Sequence, residues 1–146
     1  MKLLVQRSKE SNVKVDNKIV GSISKGLVVL IGININDTKK EVEYLANKVL
    51  NLRIFDDEKG IMNLSVKDIN GEILSISQFT LQADTNKGNR PSYQNAMRGE
   101  DAKELYDYFN TLLKEHLNVK TGIFGAEMEV NINNDGPVTI ILEKSL

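Results

Sequence analysis

The segment that most restricts the fold is "SKGLVVLIGI", Ser24 to Ile33, in which Leu27 to Ile31 form an unbroken apolar run. Bounded by turn residues, such a run suits a buried strand at the centre of a sheet. The chain before it also reads as strand. "KLLVQRS" forms a first strand, and "NVKVDNKIVGSI" forms a hairpin that turns at Asp16-Asn17 between valine-rich arms.

From Thr38 the period changes. "TKKE", Thr38 to Glu41, has the form of a capping box, and Val42, Leu45, Ala46, Val49 and Leu50 mark one helical face. Beyond this helix "LRIF" reads as a short strand, "DDEKG" as a charged turn and "LSVKDI" as a strand. Asn70-Gly71 is a hairpin dipeptide leading into the partner strand "EILSISQF". A long polar segment, "QADTNKGNRPSYQNAMRG", separates that strand from a second helix over about Glu100 to Leu117. "AEMEVNI" then alternates as a half-exposed antiparallel strand, "NNDGP" turns the chain and "VTIIL" closes the sheet. About eight or nine strands and two helices, joined mostly by short turns, predict a single α+β domain over 1–146 whose sheet is mostly antiparallel and barrel-like.

Composition removes whole classes of chemistry. The chain has no cysteine, so thiol nucleophiles, disulfides and thiolate metal sites are out. Its one histidine, His116, falls in the amphipathic "DAKELYDYFNTLLKEHL" and reads as a structural or surface residue; alone it cannot build a histidine-rich metal site. The opening "MKLLVQR" is far too short in apolar residues for a signal peptide or a membrane span, which points to a cytoplasmic protein with no membrane partner. A net charge of −1 argues against a broad grip on nucleic-acid backbone. Lys87, Arg90 and Arg98 nevertheless cluster in the long polar segment, either as a small phosphate contact or as a solvated loop.

Two stretches lack any obvious base, acid or metal ligand yet are open to a chemical reading. In "ISQFTLQADT" the backbone N–H groups of Phe79 and Thr80 fall where the strand runs out, and can face a bound oxyanion or simply end a strand. In "NNDGPVTIIL" the Gly136-Pro137 pair is a plain turn or, as a cis peptide, a fixed backbone edge able to recognise shape.

"SQFTL" and "NDGPVT", with "GNRPSY" and "TGIFGAEMEV" between them and "RIFDDEKGIMN" before, resemble the D-aminoacyl-tRNA deacylase family over essentially the whole chain. The resemblance implies a homodimeric, metal-independent hydrolase with no cofactor. It would act on the acceptor end of D-aminoacyl-tRNA, and on glycyl-tRNA mischarged on tRNA(Ala), in translation quality control. It also implies that Ser77, Gln78, Phe79 and Thr80 line the pocket for the terminal adenosine and the ester, and that Gly136 and Pro137 of the partner subunit enter it to reject L-amino acids. A non-catalytic β-barrel binding module is the alternative, because a fold alone never proves activity.

Overall fold

The computed structural model describes residues 1–145; Leu146, the last residue of the expected unit, lies outside the described residues. In chain order the elements are β1 (Lys2–Ser8), β2 (Ser11–Val15), β3 (Lys18–Ile23), β4 (Gly26–Gly32), α1 (Lys39–Asn51), β5 (Phe55–Asp56), β6 (Met62–Leu64), β7 (Glu72–Ser77), a 3-10 turn (Phe79–Gln82), α2 (Gly99–Lys114), β8 (Val119–Thr121), β9 (Glu129–Asn131) and β10 (Asn134–Glu143).

The Leu27–Ile31 run takes the central place its sequence requires. A five-stranded sheet has the order β10-β1-β4-β7-β8, and β4 is its middle strand. One face of β4 presents Leu27, Val29 and Ile31 to a core shared with Val42, Leu45 and Val49 of α1 and Phe109 and Leu113 of α2. Val28, on the other face, joins Leu74 and Ile76 against Val13 and Ile23 of a smaller sheet, β3-β2-β9. Helices, large sheet and small sheet thus form three layers, and a strand covered on both sides has no polar face.

This layering corrects the barrel expectation. The described residues form three separate sheets and no closed barrel. β4 pairs with β7, and β7 with β8, in parallel. Parallel neighbours require crossovers rather than short turns, and α1 and α2 lie in those crossovers. The remaining strand pairs are antiparallel, so the α+β sheet is mixed.

The hairpin expected at Asn70-Gly71 does not form. Ser65 and Asp68 bind each other's backbone N–H groups with their side chains, at 2.9 and 3.1 Å. Ile69 N–H bonds to Ser65 O and Gly71 N–H to Val66 O, so "LSVKDI" winds into turns and buries Val66. Local side-chain bonds of this kind compete directly with a strand ladder. The Asp16-Asn17 hairpin is present, with both residues at positive φ (51° and 64°) as its tight turn demands. The Thr38–Glu41 capping box is also present. Burial raises the pKa of Glu41, but its bonds from the Thr38 side chain and backbone more than offset this and hold the carboxyl below the usual range. His116 lies beyond the end of α2 and is exposed. Among the described residues no helix is long and apolar enough to cross a membrane.

Candidate active site

β7 ends against β4, where Ser77 pairs with Ile31. The last ladder bond runs from Gln78 N–H to Ile31 O at 2.7 Å. The chain then tightens into the Phe79–Gln82 turn, in which Leu81 N–H donates to Gln78 O and Ala83 N–H to Thr80 O. The N–H groups of Phe79 and Thr80 fall between the ladder and these bonds. They meet no acceptor among the described residues.

The turn is seated on β4. A Cβ built on Gly32 would stand 2.7 Å from Leu81 Cβ and 3.1 Å from Gln78 O, a spacing only glycine permits. Gln82 Nε2 donates to Gly32 O at 2.8 Å, and its Oε1 accepts from Asn34 Nδ2 at 3.2 Å. Gln78 Nε2 donates to Thr80 Oγ1 across the turn. Behind the site, Tyr106 OH donates to Ser75 O at 2.7 Å and Ser75 Oγ to Asn110 Oδ1 at 2.6 Å, tying α2 to β7. Burial pushes the Tyr106 hydroxyl up in pKa, so it remains a donor.

A cavity of about 370 Å³ opens beside this strand end. Ser77, Gln78 and Phe79 line it, with apolar walls from Ile31, Ile76, Phe124 and Met128 among others. Thr80 is not part of the lining; its hydroxyl is turned to Gln78 instead. Arg98 is the one ionisable side chain of the lining. Among the described residues no group of three His, Cys, Asp or Glu is placed to hold a metal ion.

The second stretch is a bulge in an edge strand where the sequence reads as a turn. β10 pairs with β1 through Gln6↔Thr139 and again through Ser8↔Asn134, so Asp135 to Val138 are looped out opposite Arg7. Extra residues within one strand of a ladder are accommodated in this way. The Gly136–Pro137 bond is cis, and Gly136 has φ +117°. Asn134 holds the loop closed: its Nδ2 donates to Arg7 O and Val138 O at 2.9 and 3.0 Å, and its Oδ1 accepts from Gln6 and Thr139. Arg7 lies beneath, with Nε 3.3 Å from Asp135 Oδ2 and Nη1 donating to Ile54 O at 2.9 Å. Pro137 O lies 3.1 Å from the Thr139 hydroxyl, whose single proton is shared between it and Asn134 Oδ1, and a carbonyl oxygen has a second lone pair.

Within one chain the two stretches stay apart. Ser77 is level with Ile31, whereas the bulge is level with Leu27, three strands across. Four residues along the strands and three across give about 13 and 14 Å, a separation of about 20 Å.

A family model described as D-Tyr-tRNA(Tyr) deacylase matches residues 4–143. The chain belongs to that family. As a member of the deacylase family it is a hydrolase, and the resemblance read from "SQFTL" and "NDGPVT" holds over nearly the whole chain. It is 60% identical over 146 residues to the D-aminoacyl-tRNA deacylase of Clostridium botulinum (strain Alaska E43 / Type E3), covering 99% of this chain and 98% of that protein. The enzyme of the same name from Thermosipho melanesiensis is 54% identical over 145 residues, covering 98% and 97%. A solved structure titled "c-Myc DNA Unwinding Element Binding Protein" superposes with TM-score 0.95 at 45% identity, covering 100% of both chains. A "probable eukaryotic D-amino acid tRNA deacylase", at TM-score 0.82 and 17% identity over 97% of each chain, shares the fold.

Sequence reasoning did not assign roles to Phe124, Met128, Arg7 or Asn134. Phe124 and Met128 lie in "TGIFGAEMEV", whose apolar residues look like any strand and loop until β7 is set beside them. Arg7 and Asn134 meet only through the β1–β10 pairing, which leaves no local signal.

Proposed function

We propose that the protein hydrolyses the ester between a D-amino acid, or glycine, and the terminal ribose of tRNA, including glycyl-tRNA mischarged on tRNA(Ala), and that it rejects L-aminoacyl-tRNA. The observation that carries this is the pair of adjacent unpartnered N–H groups, Phe79 in the wall of a mostly apolar cavity and Thr80 next to it, in a site that offers no side-chain base. An aminoacyl ester is already activated. Its hydrolysis needs positioning and a place for negative charge more than a strong base.

In this reading the terminal nucleoside enters the cavity and the ester carbonyl oxygen points at the two N–H groups. Water attacks the carbonyl carbon, and the ribose hydroxyl next to the ester assists by accepting a proton from it while passing its own to the departing ribose oxygen. The carbonyl electrons move onto oxygen, where Phe79 and Thr80 N–H stabilise them. Collapse breaks the bond to the ribose oxygen, which leaves with a proton as free tRNA. Thr80 positions the turn through Gln78 and is no nucleophile, since no base reaches its hydroxyl. The mechanism calls on neither metal nor organic cofactor.

Chiral selection follows from joining the two stretches across a homodimer. The cavity lining carries no carboxylate to pair with the α-ammonium group, while the cis Gly136–Pro137 edge, held by Asn134 and Arg7, carries carbonyl oxygens suited to it. With about 20 Å between them in one chain, a second copy is the way to bring them together. Gly136 and Pro137 of the partner subunit would hold the ammonium and fill the side where an L side chain projects, leaving D-amino acids and glycine accepted. The place of such an enzyme is the cytoplasm, with its aminoacyl-tRNA.

The test is hydrolysis of D- and L-tyrosyl-tRNA by chelator-treated protein. Rapid release of D-tyrosine with the L-ester spared supports the reading. Loss of activity on chelation, or equal rates on both esters, contradicts it.

A further inference from the structure

The rim of the cavity carries a cation that the hydrolysis does not use. Arg98 stands at the N-cap position of α2 but gives that helix no side-chain cap. Its guanidinium instead lies over the Phe79 ring, 4.4 Å from the centroid, and 5.9 Å from that of Tyr93. The two rings meet edge to face at 5.2 Å. Stacking engages only the face of the guanidinium, so its N–H donors stay available around the edge while the side chain is held in place. Among the described residues the ion pairs are Met1–Asp37, Arg7 with Asp56 and Asp135, and Lys103–Asp107; no carboxylate neutralises Arg98.

We propose that Arg98 binds the phosphate that trails the terminal nucleoside, and that Lys87 and Arg90 extend this contact along the acceptor strand. The proposal rests on the reading of the cavity as the seat of a tRNA end. A nucleoside with its ester against Phe79 leaves its 5′ phosphate at the mouth, where Arg98 is the charged side chain of the lining. A guanidinium pre-set by stacking matches a phosphate through paired N–H bonds. Tyr93 directly follows the Asp84–Ser92 bridge, which closes the loop carrying exposed Lys87 and Arg90, so these cations sit on a loop anchored beside the Arg98 stack. A chain of net charge −1 thereby concentrates its attraction for phosphate at one place.

The probe is a deacylated RNA minihelix with an acceptor stem and a 3′ CCA end, titrated onto the full chain across a salt series. Arg98→Gln is expected to weaken binding roughly fivefold at low salt and to lower the log–log salt slope by about 0.7, the value for one single-strand phosphate. Arg98→Lys keeps the charge and most of the slope. Lys59→Gln, an exposed cation on the Asp57–Gly60 turn, leaves the slope as in the parent. Arg98 is exposed, so its replacement does not threaten folding. An Arg98→Gln slope equal to the parent's overturns the proposal. Hydrolysis of D-tyrosyl-tRNA by the parent separates the failures: activity with an unchanged slope sinks this inference alone, whereas no activity and no binding sinks the underlying reading and this one with it.

Discussion

The end of β7 and the bulge of β10 both expose main-chain polar groups, but in opposite senses. The β7 end is concave and apolar-walled and offers donors, the N–H groups of Phe79 and Thr80. The bulge lies on an edge strand and carries the carbonyl acceptors of Gly136 and Pro137, and it is braced by Asn134 and Arg7. A substrate with a carbonyl to be polarised and an ammonium to be held needs one surface of each kind. On the proposed function the comparison amounts to a division of labour, with chemistry assigned to the donor surface and chirality to the acceptor surface, and neither sufficing alone.

The donor surface is the more sensitive to displacement. Gly32→Val would push a side chain into Leu81 Cβ and Gln78 O and lift the turn off β4. A shift of about 1 Å there is expected to lower kcat roughly 100-fold, with solution mass unchanged. Full activity in Gly32→Val would break the assignment of chemistry to this turn.

The acceptor surface responds differently. At φ +117° a Cβ on Gly136 meets Val138 N and Cγ2 at 2.8 Å and Arg7 Nη2 at 3.1 Å. The backbone strain of about 2 kcal/mol is relieved by re-forming the bulge, and Gly136→Val should lose roughly 30-fold on the D-ester. Its D-over-L ratio should fall as well, which Gly32→Val should not cause. Equal selectivity in the two variants would erase the contrast between the surfaces.

Thr80 sharpens the donor side. Thr80→Ala removes the bond from Gln78 that steadies the turn and should cost about tenfold in kcat, about 1.4 kcal/mol. Thr80→Ser should retain most activity, and an acyl-Thr80 adduct trapped in single-turnover experiments would contradict a positioning role. Asn134→Ala has the smallest effect on rate. Loss of its bonds to Gln6, Arg7, Val138 and Thr139 should cost about 2 kcal/mol of stability, a fall in Tm of roughly 4–8 °C, with only a few-fold change in the D rate. An unchanged Tm would show that the bulge is held by other means.

Legibility in the sequence followed the range of the interactions. The capping box at Thr38, the Asp16-Asn17 turn and the double-sided burial of Leu27–Ile31 were readable because a few adjacent residues decide them. The Asn70-Gly71 hairpin was misread because Ser65 and Asp68 close a competing set of turns that hairpin statistics ignore. The parallel β4–β7 pairing was missed for a different reason: it depends on helices covering one face, and strand patterns do not reveal which neighbour a strand selects. Ser77 to Phe79, singled out by motif resemblance, do line the cavity, while the looping-out of Asp135 to Val138 opposite Arg7 is a property of a pairing across almost the whole chain.

The central claim, that each working site takes its donors from one chain and its acceptors from another, is tested most directly by mixing two crippled proteins. Gly32→Val and Gly136→Val are unfolded together, refolded as a mixture, and assayed on D-tyrosyl-tRNA. In a mixed dimer one site has both defects and the other has neither, so with random pairing about a quarter of all sites become intact and the rate should recover to about that fraction of the parent's. A rate no higher than the average of the two variants would contradict the account, because it would mean that each site is built within a single chain.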